Sequence, residues 1–139
     1  MIVKSGSAEW SGSLKEGKGS VSTESGALDK QAYGFAIRFE GKTGTNPEEL
    51  IGAAHASCFS MALSNILGQE GITPEKIATT SKVTLDPSAG PKITKVHLVT
   101  EIKAPADEAK ILECAEKAKA GCPVSQLLDA EITMEAKVL

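Results

Sequence analysis

Arginine occurs once in this chain of 139 residues, at Arg38, and 18 acids outnumber the 15 basic side chains for a net charge of −3. The lysines are scattered and form no basic stripe able to neutralise a phosphate backbone, which excludes nucleic acid as an expected partner. Cysteine is also scarce: three residues, an odd number, argue against a static disulfide framework. Residues 1–7, Met-Ile-Val-Lys-Ser-Gly-Ser, lack the apolar core and small-residue cleavage site of a secretory signal, so a cytoplasmic protein in a reducing compartment is expected. Repeats and low-complexity tracts are absent. With 41% hydrophobic and 24% charged residues, 1–139 has the size and composition of a single soluble domain with one buried core.

One apolar run stands out. Residues 50–67 carry no charge over 18 positions, near the lower limit of about 17 to 25 for a membrane span. The run contains Gly52, His55, Asn65 and three serines, and neither an aromatic belt nor a positive cluster flanks it. It reads as a helix buried all round inside a soluble domain, and no membrane partner is expected. The start signals agree: Asn46 can cap, Pro47 suits the first helical position, and Glu49 can close a capping box back onto Asn46. A helix over 47–69 is predicted, ending at Gly68 or Gly71.

The stretches 1–10 and 19–25 read as strands. So does 33–39, where Tyr33, Phe35, Ile37 and Phe39 alternate on one face and Arg38 points from the other. Strands at 77–86 and 93–103 flank a Pro/Gly turn and form a hairpin. Helices are expected at 106–120, with Ile111, Cys114, Ala115 and Ala118 on the apolar face, and at 124–128, before a last strand over 131–138. Strands segregated from helices predict an α+β domain with antiparallel sheets around the long buried central helix.

Cys58 lies inside the apolar helix, where a cysteine is ordinarily an inert core residue and where the helix dipole has faded, so a reactive thiolate there requires an external cation. Arg38, which does not titrate, can be that cation. Cys122, between Gly121 and Pro123 at a helix junction, either fills a tight turn or presents its sulfur to free N–H groups that favour a thiolate. Cys114 belongs to the core. Glu49 is explained by capping, whereas Glu48 is open to another role or is a plain N-terminal acid. His55, one turn before Cys58, is a possible metal pair with it, but structural zinc needs four ligands, and a packed or solvated histidine is the default. The other histidine, His97, lies on the polar strand face.

Residues 44–63, Gly-Thr-Asn-Pro-Glu-Glu-Leu-Ile-Gly-Ala-Ala-His-Ala-Ser-Cys-Phe-Ser-Met-Ala-Leu, with 119–126, Lys-Ala-Gly-Cys-Pro-Val-Ser-Gln, and 17–26, Gly-Lys-Gly-Ser-Val-Ser-Thr-Glu-Ser-Gly, closely resemble the OsmC/Ohr family of organic hydroperoxide reductases. The resemblance covers essentially the whole chain. It implies an intertwined α+β homodimer with antioxidant thiol peroxidase activity, in which Cys58 attacks the peroxide and Cys122 resolves the product as a disulfide. It also assigns Glu48 and an arginine, here Arg38, to the surroundings of the thiolate. It implies an organic hydroperoxide substrate, an external dithiol reductant, either a lipoylated protein or a thioredoxin type, and no bound cofactor. Two other functions fit the residues: a Cys58-dependent acyl or hydrolytic enzyme, and a non-enzymatic carrier of apolar ligands in which the cysteines pack.

Glu48 and Cys58 are ten residues apart, about 15 Å along a straight helix. They can share a small site only across subunits, through an antiparallel crossing of two helices near Ala53, where Gly52, Ala54, Ala56 and Ser57 are small enough for close approach.

Overall fold

The computed structural model describes residues 1–139, which divide into two compact units, Met1–Pro47 and Glu48–Leu139.

The N-terminal unit holds β1 (Gly6–Ser11), β2 (Lys18–Thr23) and β3 (Gln31–Tyr33) in one antiparallel sheet of order β1-β2-β3. Trp10, Gly19 and Tyr33 stand in register across the three strands, and the two rings lie 5.6 Å apart between centroids. Gly19 permits this: a Cβ there would meet the Tyr33 ring at 2.5 Å and the Trp10 ring at 2.8 Å. No residue of the unit is fully buried.

The expected strand over 33–39 is corrected. Strand pairing stops at Tyr33, and Phe35–Phe39 forms a one-turn helix, α1, with Arg38 N–H donating to Gly34 O at 2.9 Å and Glu40 N–H to Ala36 O at 3.0 Å. Large residues at 35, 37 and 39 satisfy a period of two, but Phe35 and Phe39 are also one helical turn apart, and their rings meet at 5.0 Å. Over so short a run the two periods are indistinguishable. β1 likewise begins at Gly6 rather than at residue 1.

The second unit is built on α2 (Pro47–Gln69), β4 (Lys76–Asp86), β5 (Lys92–Lys103), α3 (Glu108–Gly121), α4 (Pro123–Leu127) and β6 (Glu131–Val138). α2 has the predicted bounds. It stops in a Schellman turn: Ile72 N–H reaches back to Leu67 O at 2.9 Å and Gly71 N–H to Gly68 O at 3.0 Å, with Gly71 at φ 75°. Its buried residues are Gly52, His55, Phe59, Leu63 and Leu67, a single stripe. Ala53, Ala54, Ser57, Met61 and Ser64 are exposed, so the expectation of a helix buried all round is corrected. An uncharged sequence announces that a face avoids water; it does not announce whether the same chain covers it.

β4 and β5 form the expected antiparallel hairpin, and β5 is the centre of the sheet β4-β5-β6. β6 pairs with β5 in parallel, against the expectation of purely antiparallel sheets. The physical reason is the connection. α3 and α4 lie between the two strands and carry the chain back as a crossover, which returns the next strand in the same direction. Leu98 and Ile102 of β5 join Phe59, Leu63 and Leu67 of α2 and Ile111, Cys114, Ala115 and Ala118 of α3 in one fully buried core. Burial of each large aliphatic contributes about 1.5 to 3 kcal/mol. Hydroxyls tie α2 to the sheet, Ser60 Oγ donating to Thr79 Oγ1 at 2.8 Å, itself 3.0 Å from Thr100 Oγ1. Gly52 lies against β4, since a Cβ there would sit 3.0 Å from Ser81 O.

Candidate active site

Pro123 fixes the geometry of the site. It occupies the first position of α4, where a missing N–H costs nothing, and so forces the preceding Cys122 out of the helix. Cys122 therefore ends α3, its N–H donating to Ala118 O at 3.0 Å, and caps α4, its sulfur accepting the Ser125 N–H at 3.3 Å. The next amide of the same turn, Val124 N–H, is near enough to the Cys58 thiol to favour its ionised form, and the Cys58 and Cys122 thiols are neighbours that act on each other's ionisation. Two sulfurs 64 residues apart in sequence thus meet at one helix start.

Cys122 is fully buried and Cys58 half-buried. Cys58 opens on a groove of about 480 Å³ whose other walls include Met61, Ala62 and Ile66 of α2 and Pro123. The lining is mostly apolar, suited to a hydrocarbon group beside the sulfur. Burial pushes the Cys58 thiol above its ordinary pKa; the Val124 N–H acts in the opposite direction, and the neighbouring Cys122 adds to the rise. No lysine of the same unit acts on it. The reactive form thus still needs a cation.

Behind the pair stand His55, which the sequence alone leaves to packing or solvent, and Ser125, which the sequence does not single out. Ser125 Oγ lies 3.1 Å from Cys122 Sγ and 2.7 Å from His55 Nε2. His55 is fully buried on the inner stripe of α2, its Nδ1 has no partner, and burial lowers its pKa. Ser125, three residues after the capping Cys122, stood where a capped turn places a group near the sulfur; His55 was the one ionisable residue on the stripe Gly52-His55-Phe59-Leu63-Leu67.

Of the residues expected at the site, the structure brings Cys58 and Cys122 together. Cys114 is fully buried in the core cluster. Glu48 stands in the first turn of α2, and because α2 is continuous to Gln69 it remains about 15 Å along the axis from Cys58 of its own chain. Arg38 is exposed on α1 of the N-terminal unit, its guanidinium 5.4 Å from the Phe39 ring centre, beside a cavity of about 190 Å³ walled by Trp10, Leu14, Tyr33 and Phe35. No group of three or more His, Cys, Asp or Glu is placed to hold a metal ion.

Comparison with known proteins agrees with this architecture. The model of the OsmC-like protein family matches residues 39–137. The peroxiredoxin OsmC of Escherichia coli is 59% identical over 136 residues, 96% of this chain and 95% of that protein. The organic hydroperoxide resistance protein OhrB of Bacillus subtilis is 29% identical over 121 residues, 86% of this chain and 88% of that protein. The crystal structure of B. subtilis OhrB superposes with a TM-score of 0.72 at 26% identity, covering 97% of this chain and 98% of that one. A Legionella pneumophila OsmC structure gives 0.73 at 26% identity, with 99% and 98% covered. The chain belongs to the OsmC family.

Proposed function

We propose that this protein is a thiol-dependent peroxidase that reduces organic hydroperoxides, with Cys58 as the attacking thiol and Cys122 as the resolving one. The observation that carries the reading is the proximity of the two thiols beside an apolar groove, in a chain 59% identical to a peroxiredoxin. Cys58 as thiolate attacks the distal peroxide oxygen; the O–O bond breaks, the alkoxide takes a proton and leaves as alcohol, and Cys58 becomes a sulfenic acid. Cys122 then displaces water to form the Cys58–Cys122 disulfide, which guards Cys58 from irreversible oxidation. An external dithiol, lipoyl or thioredoxin type, returns both thiols. The groove favours alkyl over hydrogen peroxide because it buries the tail at about 0.8 kcal/mol per methylene.

The cation is Arg38, held by Glu48 through a planar, two-pronged pair. The protein works as a homodimer in the cytoplasm, with each site shared between chains. Two observations support the dimer: the exposed small residues of α2 around Ala53, and an N-terminal unit with no buried side chain of its own. Antiparallel crossing of two α2 helices near Ala53 brings Glu48 of one chain level with Cys58 of its partner.

Stoichiometric cumene hydroperoxide followed by thiol counting tests the reading. A peroxidase loses two thiols per chain, a Cys58-dependent acyl enzyme instead gains an adduct from an ester substrate, and an apolar-ligand carrier does neither; retention of all thiols would refute the proposal.

A further inference from the structure

The disulfide-forming step leaves one proton to be placed. For Cys122 to attack the Cys58 sulfenic sulfur, its S–H bond must break as the S–S bond forms and the S–OH bond cleaves. Cys122 is fully buried, so solvent does not reach its sulfur directly. The groups against it are the Cys58 thiol, the Ser125 N–H and the Ser125 hydroxyl, and beyond the hydroxyl lies His55 Nε2.

We propose that Ser125 and His55 form a proton relay for the resolving cysteine, with Ser125 Oγ taking the Cys122 proton as it passes its own to His55 Nε2. In this step the Cys122 sulfur donates an electron pair to the Cys58 sulfur, and hydroxide leaves Cys58 and takes a proton from water. Cys122 is oxidised and the sulfenic sulfur reduced, and His55 later gives its proton back to solvent. Ser125 touches a reacting atom; His55 acts through it, as a positioning residue and proton store. The inference rests on the assignment of Cys58 and Cys122 above.

Three features favour it. The distances of 2.7 and 3.1 Å are those of a continuous chain, and a hydroxyl is both donor and acceptor, so the chain can reverse direction without moving a heavy atom. Burial favours the neutral form of His55, the form that can accept a proton. The single hydrogen bond of the His55 ring is the one to Ser125 Oγ, so the ring is oriented by the chain that leads to Cys122.

The test follows one oxidation cycle of the whole protein after one equivalent of cumene hydroperoxide, timing peroxide loss and, by acid quench and mass spectrometry with dimedone, the conversion of Cys58 sulfenic acid to disulfide. General acid–base assistance is typically worth roughly 100-fold or more. His55→Gln is therefore expected to slow the second step roughly 100-fold and the first far less, with dimedone-trappable Cys58 accumulating. Ser125→Ala, which deletes only the hydroxyl, is expected to behave the same way and serves if His55→Gln does not fold. Ser125→Thr, which keeps the hydroxyl, restores the second step, and the double variant is no slower than either single one. A loss of packing alone would slow both steps together and would not be rescued by threonine. Disulfide formation at the parent rate in either deletion variant, or equal slowing of both steps, overturns the relay alone. A parent protein that forms no Cys58–Cys122 disulfide overturns the assignment of the cysteines, and the relay with it.

Discussion

In the unit Met1–Pro47 no side chain is fully buried, whereas Glu48–Leu139 completely hides Phe59, Leu63, Leu67, Leu98, Ile102 and Ile111. The shortages are complementary. The first unit has a twisted three-stranded sheet, a ring pair over Gly19 and the only arginine, but nothing that excludes water. The second has a core and both thiols of the proposed pair, but burial raises the pKa of Cys58 and no cation of that unit offsets it. Three strands become stable only when one face is covered, and a buried thiol becomes a nucleophile only when a charge is brought to it. The dimer proposed above would supply both at once, to a chain whose paired thiols lie in one unit and whose only guanidinium lies in the other.

The largest effect expected from breaking this arrangement is at the sulfurs. Cys58→Ser should abolish peroxide consumption, since no other thiol stands in the groove. Cys122→Ser should turn over once and then accumulate sulfenic or sulfinic acid on Cys58, visible as mass increments of one and two oxygens on the peptide. Steady turnover by Cys58→Ser would show that Cys58 is not the attacking thiol.

Ala53→Trp sharpens the comparison differently. Ala53 is exposed in the single chain, where such a substitution is worth no more than about 0.5 kcal/mol either way. At a close helix crossing the same indole cannot be accommodated. The expected result is a shift to monomer in sedimentation velocity, a loss of activity in proportion, and faster amide exchange in β1–β3 than in β4–β6. A fully active monomer would show that the second unit needs nothing from a partner.

A smaller loss is expected from Arg38→Lys. The charge survives, but an ammonium cannot hold a carboxylate by a planar fork and present a second edge to a sulfur. Loss of one such charge-assisted contact, about 1.4 kcal/mol, corresponds to about tenfold in the rate of Cys58 oxidation. The deficit should persist at high pH, where more of Cys58 is ionised in any case. Stopped-flow rates equal to the parent's across pH would make Arg38 an ordinary surface residue of α1.

How much of this was legible in the sequence follows from how local each signal is. Pro47 and Gly71 gave the bounds of α2 because caps act within one turn, and Ile111, Cys114, Ala115 and Ala118 gave the buried face of α3 because its period runs over several turns. Phe35, Ile37 and Phe39 fit two periods, so the sequence alone predicts a strand around Arg38 where the chain forms a helix. The parallel pairing of β6 with β5 was hidden, since a strand's own residues do not name its neighbour. The His55–Ser125 contact joins positions 70 apart, and nothing in the spacing of either residue announces the other.

Cys114→Ser separates the two kinds of cysteine with the smallest expected effect. Cys114 is fully buried in the same unit as Cys58 and Cys122, between α2, α3 and the sheet, in the core cluster rather than in the groove. If burial in the second unit were enough to make a thiol reactive, this one would be oxidised too. The substitution exchanges a weakly polar sulfur for a hydroxyl that must find a partner. On α3 that partner is the carbonyl four residues earlier, at Lys110, so the cost is held to about 1 kcal/mol. Chemical denaturation should therefore show a lower midpoint with an unchanged slope, while peroxide consumption per folded chain stays at the parent rate. Recovery of Cys114 in a disulfide from oxidised parent protein, or loss of turnover in Cys114→Ser with the fold intact, would mean that the resolving thiol has been misassigned and that the contact between Cys58 and Cys122 is packing.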